Sequence, residues 1–147
     1  MRIFEVVSKY QNKNINIPYR ATKGSAGYDL EAAERVVIRP NETKLVPVGL
    51  KACFSEDEVL LIFCRSSIAL KRNLALPNGV GVIDSDYYNN EDNEGEIFVQ
   101  LRNFGEIEQV IEKKERIAQG IFIKYLSTDN DQKSDIIRSG GFGSSGK

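Results

Sequence analysis

Apolar residues in this chain fall mostly into short runs and alternations, the pattern of β-strands rather than of long amphipathic helices. Arg2-Ile-Phe-Glu-Val-Val7 predicts a first strand. Lys44 to Phe54 combines β-branched and apolar residues with one proline, which predicts an edge strand. Val59-Leu-Leu-Ile-Phe-Cys64 is an unbroken apolar run, the mark of a buried strand. Gly79 to Asp84 and Glu96 to Arg102 flank an acidic, Asn-rich stretch, so they predict a hairpin with a long tip at Tyr88 to Glu94. Ile117 to Tyr125 is a further strand candidate. Glu106 to Arg116 carries Ile107, Val110 and Ile111 at helical spacing, yet in this context it is read as strand–turn–strand. One short helix is expected, opening at Ser66 or Ser67, either of which could cap Ile68 to Arg72. Many short strands punctuated by Gly, Pro and Asn predict an all-β sandwich or jelly roll.

Beyond Asp129 the pattern dissolves into polar, Gly- and Ser-rich sequence. The chain is therefore read as a single domain over residues 1–147, with a body of about 1–130 and a flexible C-terminal arm of about 131–147. The arm's close, Arg138-Ser-Gly-Gly-Phe-Gly-Ser-Ser-Gly-Lys147, cannot build core, because glycine is costly to order and serine is polar. It could instead close over a phosphorylated ligand, with amides, hydroxyls, the Arg138 cation and the Phe142 ring. Gly141 to Lys147 also fits the GxxxxGK phosphate-loop spacing, but neither Ser/Thr nor a helix follows the lysine, so that reading is set aside.

Composition narrows the chemistry. Apolar residues make up 41% of the chain, enough for a core, and a net charge of −1 argues against a broad nucleic-acid surface. Neither a transmembrane run nor a signal-peptide pattern is read, so a cytoplasmic location is expected, the host's cytoplasm if the source is a phage or virus. Cys53 and Cys64 are expected to be buried free thiols. The chain has 0 histidines, which removes Ser-His-Asp and Cys-His nucleophiles and the HExxH zinc site. Catalysis would fall to carboxylates and a hard metal ion.

Asp84 and Asp86 stand two apart after an apolar run. Strand alternation would put both carboxylates on one face, and partial burial would suit Asp84 to general-base work. A polar turn entrance is the plainer reading of the same pair. Arg65-Ser-Ser67 follows a buried strand and could bind an anion, or simply cap a helix beside a surface arginine. Ser25-Ala-Gly-Tyr-Asp-Leu30 could be an ordinary turn into a strand.

Taken together, these segments resemble the trimeric dUTPase family. Its motifs appear in order as Ser25-Ala-Gly-Tyr-Asp-Leu30, Arg65-Ser-Ser-Ile-Ala69, Asn78 to Tyr87 with Gly95-Glu96, Arg116-Ile-Ala-Gln119, and Arg138 to Gly146. The resemblance implies a distorted jelly-roll barrel assembled as a homotrimer with shared active sites. It also implies hydrolysis of dUTP to dUMP and pyrophosphate with Mg²⁺, limiting uracil in DNA and supplying dUMP. Asp84 matches the acid that activates water against the α-phosphorus. Asn78, with the backbone of Val82 and Ile83, matches the uracil-reading edge, and Tyr87 matches the ring under the deoxyribose. Phe98 falls near a substrate contact, and Phe142 matches the ring that covers uracil. Arg65, Ser66, Ser67, Gln119, Arg138, Ser144 and Ser145 match phosphate contacts, and Asp29 matches an acid reaching the metal through water. Two departures stand out. Gly95 lies eight residues after Tyr87 instead of two, an insertion of roughly Tyr88 to Asn93 expected to lengthen the hairpin tip. The arm is also one residue short between Arg138 and Phe142. A dCTP deaminase of the same fold and a catalytically idle binding relative are the alternatives.

Overall fold

A computed structural model of the chain describes residues 1–132 and 134–143, and the expected contacts Ser144 and Ser145 lie outside the described residues. The elements run β1 (Ile3–Val6), β2 (Tyr28–Glu31), β3 (Val36–Ile38), β4 (Thr43–Pro47), β5 (Leu50–Cys53), β6 (Glu58–Cys64), α1 (Ser66–Arg72), β7 (Leu74–Ala75), β8 (Gly81–Ile83), β9 (Phe98–Asn103), β10 (Gln109–Ile111) and β11 (Arg116–Lys124). The protein is thus mostly β with one short α-helix among the described residues. Four antiparallel sheets form, with orders β1-β5, β3-β10, β2-β11-β6-β8 and β4-β9-β7.

The unbroken apolar run became β6, a central strand paired with β11 on one side and β8 on the other. Leu60 and Ile62 on it are fully buried. They join one core with Leu30, Ile38, Val46, Leu50, Leu74, Ile83, Val99, Leu101, Ile111 and Ile117, drawn from all four sheets. At about 1.5–3 kcal/mol for each fully buried aliphatic side chain, this shared core is the main term holding the sheets together. No described helix is long and apolar enough to cross a membrane.

Several expectations need correction. The Lys44 to Phe54 segment is two strands, because Gly49 takes φ +73° and breaks the ladder between β4 and β5. Pro47 ends β4, which is an edge strand as proline requires. Gly79–Asp84 and Glu96–Arg102 are not a hairpin: β8 pairs with β6, whereas β9 pairs with β4 and β7. The intervening insertion is not a projecting tip either. Its Tyr88 hydroxyl bonds to Glu5 of β1, and Lys51 of β5 holds Asn89 at 2.6 Å and Glu94 at 2.9 Å. Neither Ser66 nor Ser67 caps the helix; Arg65 occupies the N-cap without a side-chain bond, which leaves both hydroxyls available. Cys53 and Cys64 are free but only half-buried.

The Glu106 to Arg116 segment does form strand, turn and strand. What defeats the helix is pairing: β10 lies on β3, and Arg72 of α1 reaches across to Gln109 at 3.0 Å and to Glu115. Asn103, fully buried, staples the turn between β9 and β10. Its amide donates to the carbonyls of Ile38 (3.0 Å) and Ile107 (2.8 Å) and accepts the Gly105 N–H (2.9 Å). Removing such a side chain strands one buried carbonyl, that of Ile38, and unpairs two partly buried backbone groups. Asn103→Ala should therefore lower stability by about 2–4 kcal/mol, read as a lower urea midpoint at unchanged slope.

Candidate active site

One cavity of about 490 Å³ gathers most of the residues singled out from the sequence: Asn78, Val82, Ile83, Asp84, Tyr87, Phe98, Arg138 and Phe142 all line it. Its walls follow from strand alternation. On β9, Val99, Leu101 and Asn103 point to the core, which turns Phe98 and Gln100 toward the cavity. On β8, Ile83 is buried while Val82 is 60% exposed and free to meet a ligand. Gln100 and Leu45 also line the cavity and were not picked from the sequence. The period-two pattern of β9 carried the signal for Gln100, since whatever faces the same way as Phe98 shares its surroundings.

Asp84 sits one residue past β8, at the cavity mouth, with its side chain 52% exposed. The expectation of a part-buried carboxylate on a strand face is not met. The chain leaves the strand at Asp84 and enters a 3-10 turn, Ser85–Tyr87, so alternation does not place Asp86. The two carboxylates nonetheless face a common partner. The Arg138 guanidinium donates to Asp84 at 2.6 Å and to Asp86 at 2.7 Å. Arg138 thus lies on carboxylates rather than standing open.

The described part of the arm lies over the cavity. Phe142 meets Tyr87 edge-on at 5.9 Å between centroids and Phe98 at 5.5 Å. Gly141 lies so close to the Tyr87 ring that a Cβ there would come within 2.6 Å of it. Only glycine lets the arm backbone settle on that ring. Tyr87 itself is 3% exposed, and burial pushes its hydroxyl up to about 12, so it remains a neutral donor and acceptor.

The remaining candidates form a second cluster. Asp29 on β2 is flanked by Arg65 at 3.5 Å and Arg116 at 3.3 Å, and it pairs in register with Gln119 of β11. Ser66 and Ser67 open α1 directly after Arg65. Arg116 was quoted within its motif but not chosen; its carbonyl also accepts from Arg65 at 3.2 Å. The two clusters lie at opposite ends of β6. Ile83 is opposite Leu60, so Asp84 stands beside Val59, whereas Arg65 follows Cys64. Six residue steps of extended backbone separate Val59 from Arg65, roughly 20 Å. Within one copy, therefore, Asp84 and Arg65 cannot hold adjacent groups of a small ligand.

Glu96 sits beneath the cavity's Tyr87, 5% exposed, and its Oε2 is the unpartnered buried side-chain oxygen among the described residues. Burial raises its pKa, with Glu34 and Glu94 adding to the rise and Lys9 opposing it. A raised carboxyl binds its proton in the folded state where the unfolded chain has lost it. Its contribution to stability is thus present at acid pH and lost as pH rises past the ordinary carboxylate range. Glu96→Gln should raise the thermal midpoint near pH 7, and the gain should vanish toward about pH 4, in melts recorded across that range.

Comparison with known proteins bears on this geometry. The dUTPase family profile matches residues 13–146. The deoxyuridine 5'-triphosphate nucleotidohydrolase of Lactococcus lactis subsp. lactis is 56% identical over 147 residues, covering 99% of this chain and 98% of that protein. Its Chromobacterium violaceum counterpart is 38% identical over 139 residues, 90% of this chain and 89% of that one. The crystal structure of the Streptococcus mutans dUTPase superposes with a TM-score of 0.83 at 46% identity, covering 86% of this chain and 98% of that chain.

Proposed function

This chain belongs to the dUTPase family, and on that premise we propose that it hydrolyses dUTP to dUMP and pyrophosphate, with Asp84 orienting and activating the attacking water. The observation that carries the reading is the cavity with Asp84 at its mouth, a strand edge along one wall and three aromatic rings around it. The uracil edge meets the backbone of Val82 and Ile83 and the side chain of Asn78. Tyr87 lies beneath the deoxyribose, Phe98 borders it, and Phe142 covers the base. Strand N–H and C=O groups can tell uracil from cytosine by donor and acceptor placement. Thymine differs by one methyl, worth only about 1–3 kcal/mol of attraction, so its rejection has to be steric.

The phosphates would rest on Arg65, Ser66, Ser67 and Gln119, joined by Arg138, Ser144 and Ser145 of the arm. Since β6 keeps Arg65 roughly 20 Å from Asp84, the two sets serve one substrate only if they come from different copies. That separation supports a homotrimer with shared active sites, each subunit a single jelly-roll domain with a C-terminal arm. Arg138 exchanges its carboxylate partners for phosphate when substrate enters, which frees Asp84 for the water. The closed arm then excludes bulk solvent.

Among the described residues no group of three or more His, Cys, Asp or Glu is placed to hold a metal. Asp29, the carboxylate among the phosphate-side candidates, would reach a hard Mg²⁺ ion through water. When bound, such an ion neutralises charge on the phosphates.

Pyrophosphate release measured across dUTP, dTTP, dCTP and UTP tests the substrate assignment. Asp84→Asn should lose about 10²–10⁴-fold in turnover, and equal rates for variant and wild type would refute the mechanism. Arg65→Ala should be as poor alone. Mixed trimers of the two variants should regain about a quarter of wild-type turnover by random assembly, and no regain would refute the shared site. Removing residues 131–147 should leave the melting temperature nearly unchanged while depressing turnover; a fully active truncation would refute the covering arm.

A further inference from the structure

The insertion after Tyr87 builds a closed circuit of hydrogen bonds around that residue. The Asn93 amide donates to the Tyr87 hydroxyl at 2.8 Å, and the hydroxyl in turn donates to the Glu96 carbonyl. Asn93 Oδ1 accepts from the Asn90 amide at 2.8 Å and from the Gly95 N–H at 3.1 Å. Asn90, 7% exposed, completes the circuit by donating to the Tyr87 carbonyl at 2.7 Å. Its Oδ1 accepts the N–H groups of Asp92 and Asn93, both at 3.0 Å. Both ends of Tyr87, backbone and hydroxyl, are therefore held by the inserted residues.

Apart from this support the ring is held by its burial in the core and by the hydroxyl's bond to Glu96, while its backbone has little else. It closes a three-residue 3-10 turn, through one backbone bond to Asp84 of 3.1 Å. A ring can reject a bulkier ligand only as firmly as it resists being pushed aside. We propose that Asn93, seated by Asn90, is a positioning residue that stiffens Tyr87 and so sets the rejection of a 2′-hydroxyl on the sugar. The proposal rests on the reading above that Tyr87 underlies the deoxyribose. A ribose demands that the ring retreat, and retreat breaks the Asn93 and Glu96 bonds at its tip. A deoxyribose demands no retreat, so the same bonds cost the proper substrate nothing.

The test compares kcat/KM for dUTP and UTP in the intact protein carrying Asn93→Ala, Tyr87→Phe, both together, and Tyr87→Ala. Asn93→Ala should shrink the dUTP preference about five- to tenfold, with kcat on dUTP little changed. Tyr87→Phe, which removes both bonds at the tip, should shrink it at least as much, and the double variant should go no further than Tyr87→Phe, because Asn93 acts through the hydroxyl. Asn93→Ser, whose short side chain can still accept the Gly95 N–H but does not reach the hydroxyl, gives the same answer should Asn93→Ala fold poorly. If Tyr87→Ala collapses the preference while Asn93→Ala and Asn93→Ser leave it intact, the positioning role is overturned. If Tyr87→Ala itself leaves the preference intact, it is the placement of Tyr87 under the sugar that fails.

Discussion

The rigidity of one central strand governs this molecule. β6 is paired on both sides and buried at Leu60 and Ile62, so its length is fixed by backbone geometry and cannot be shortened by local adjustment. Hung from one end is the carboxylate at the cavity; hung from the other are the cations and hydroxyls that follow Cys64. The chemistry of the site is thereby divided before any ligand arrives. On the shared-site reading proposed above, a second copy would bring the two halves together.

Much of this was legible in the residues, for identifiable reasons. The apolar run of β6 could be read because its burial leaves few polar interruptions, and β11 because its residues are apolar from Ile117 to Ile123 apart from Gln119 and Gly120. Several family-motif residues do line one cavity, because a motif's residues share a strand end or turn and so face the same space. Pairing partners could not be read. β8 and β9 look like the arms of one hairpin because they flank a turn-rich stretch, yet each is claimed by a different sheet. Nothing local distinguishes those outcomes; the choice is made by core residues far away in sequence. The same holds for Arg138, whose composition suggested an anion site but whose partners in the closed chain are Asp84 and Asp86.

The insertion shows how polar sequence can be structural without being core. Tyr88 to Asn93 reads as a solvated loop because it is acidic and Asn-rich. Asparagine, however, offers both a donor and an acceptor on a short stem, and can satisfy backbone groups in several directions. Asn90 is consequently almost wholly buried, and the loop N–H of Asp92 even reaches the arm, donating to the Ser139 carbonyl at 2.9 Å.

The cover and the cleft obey different concentration laws. Phe142 reaches Tyr87 and Phe98 along its own backbone, so its docking is a unimolecular equilibrium indifferent to how much protein is present. On the proposed shared site, the meeting of Asp84 with another copy's Arg65 would be a second- or higher-order event. In very dilute solution the cavity of each lone subunit would still be roofed, while the cations needed to cradle a triphosphate would have drifted away. Loss of activity on dilution would then occur with the lid still shut.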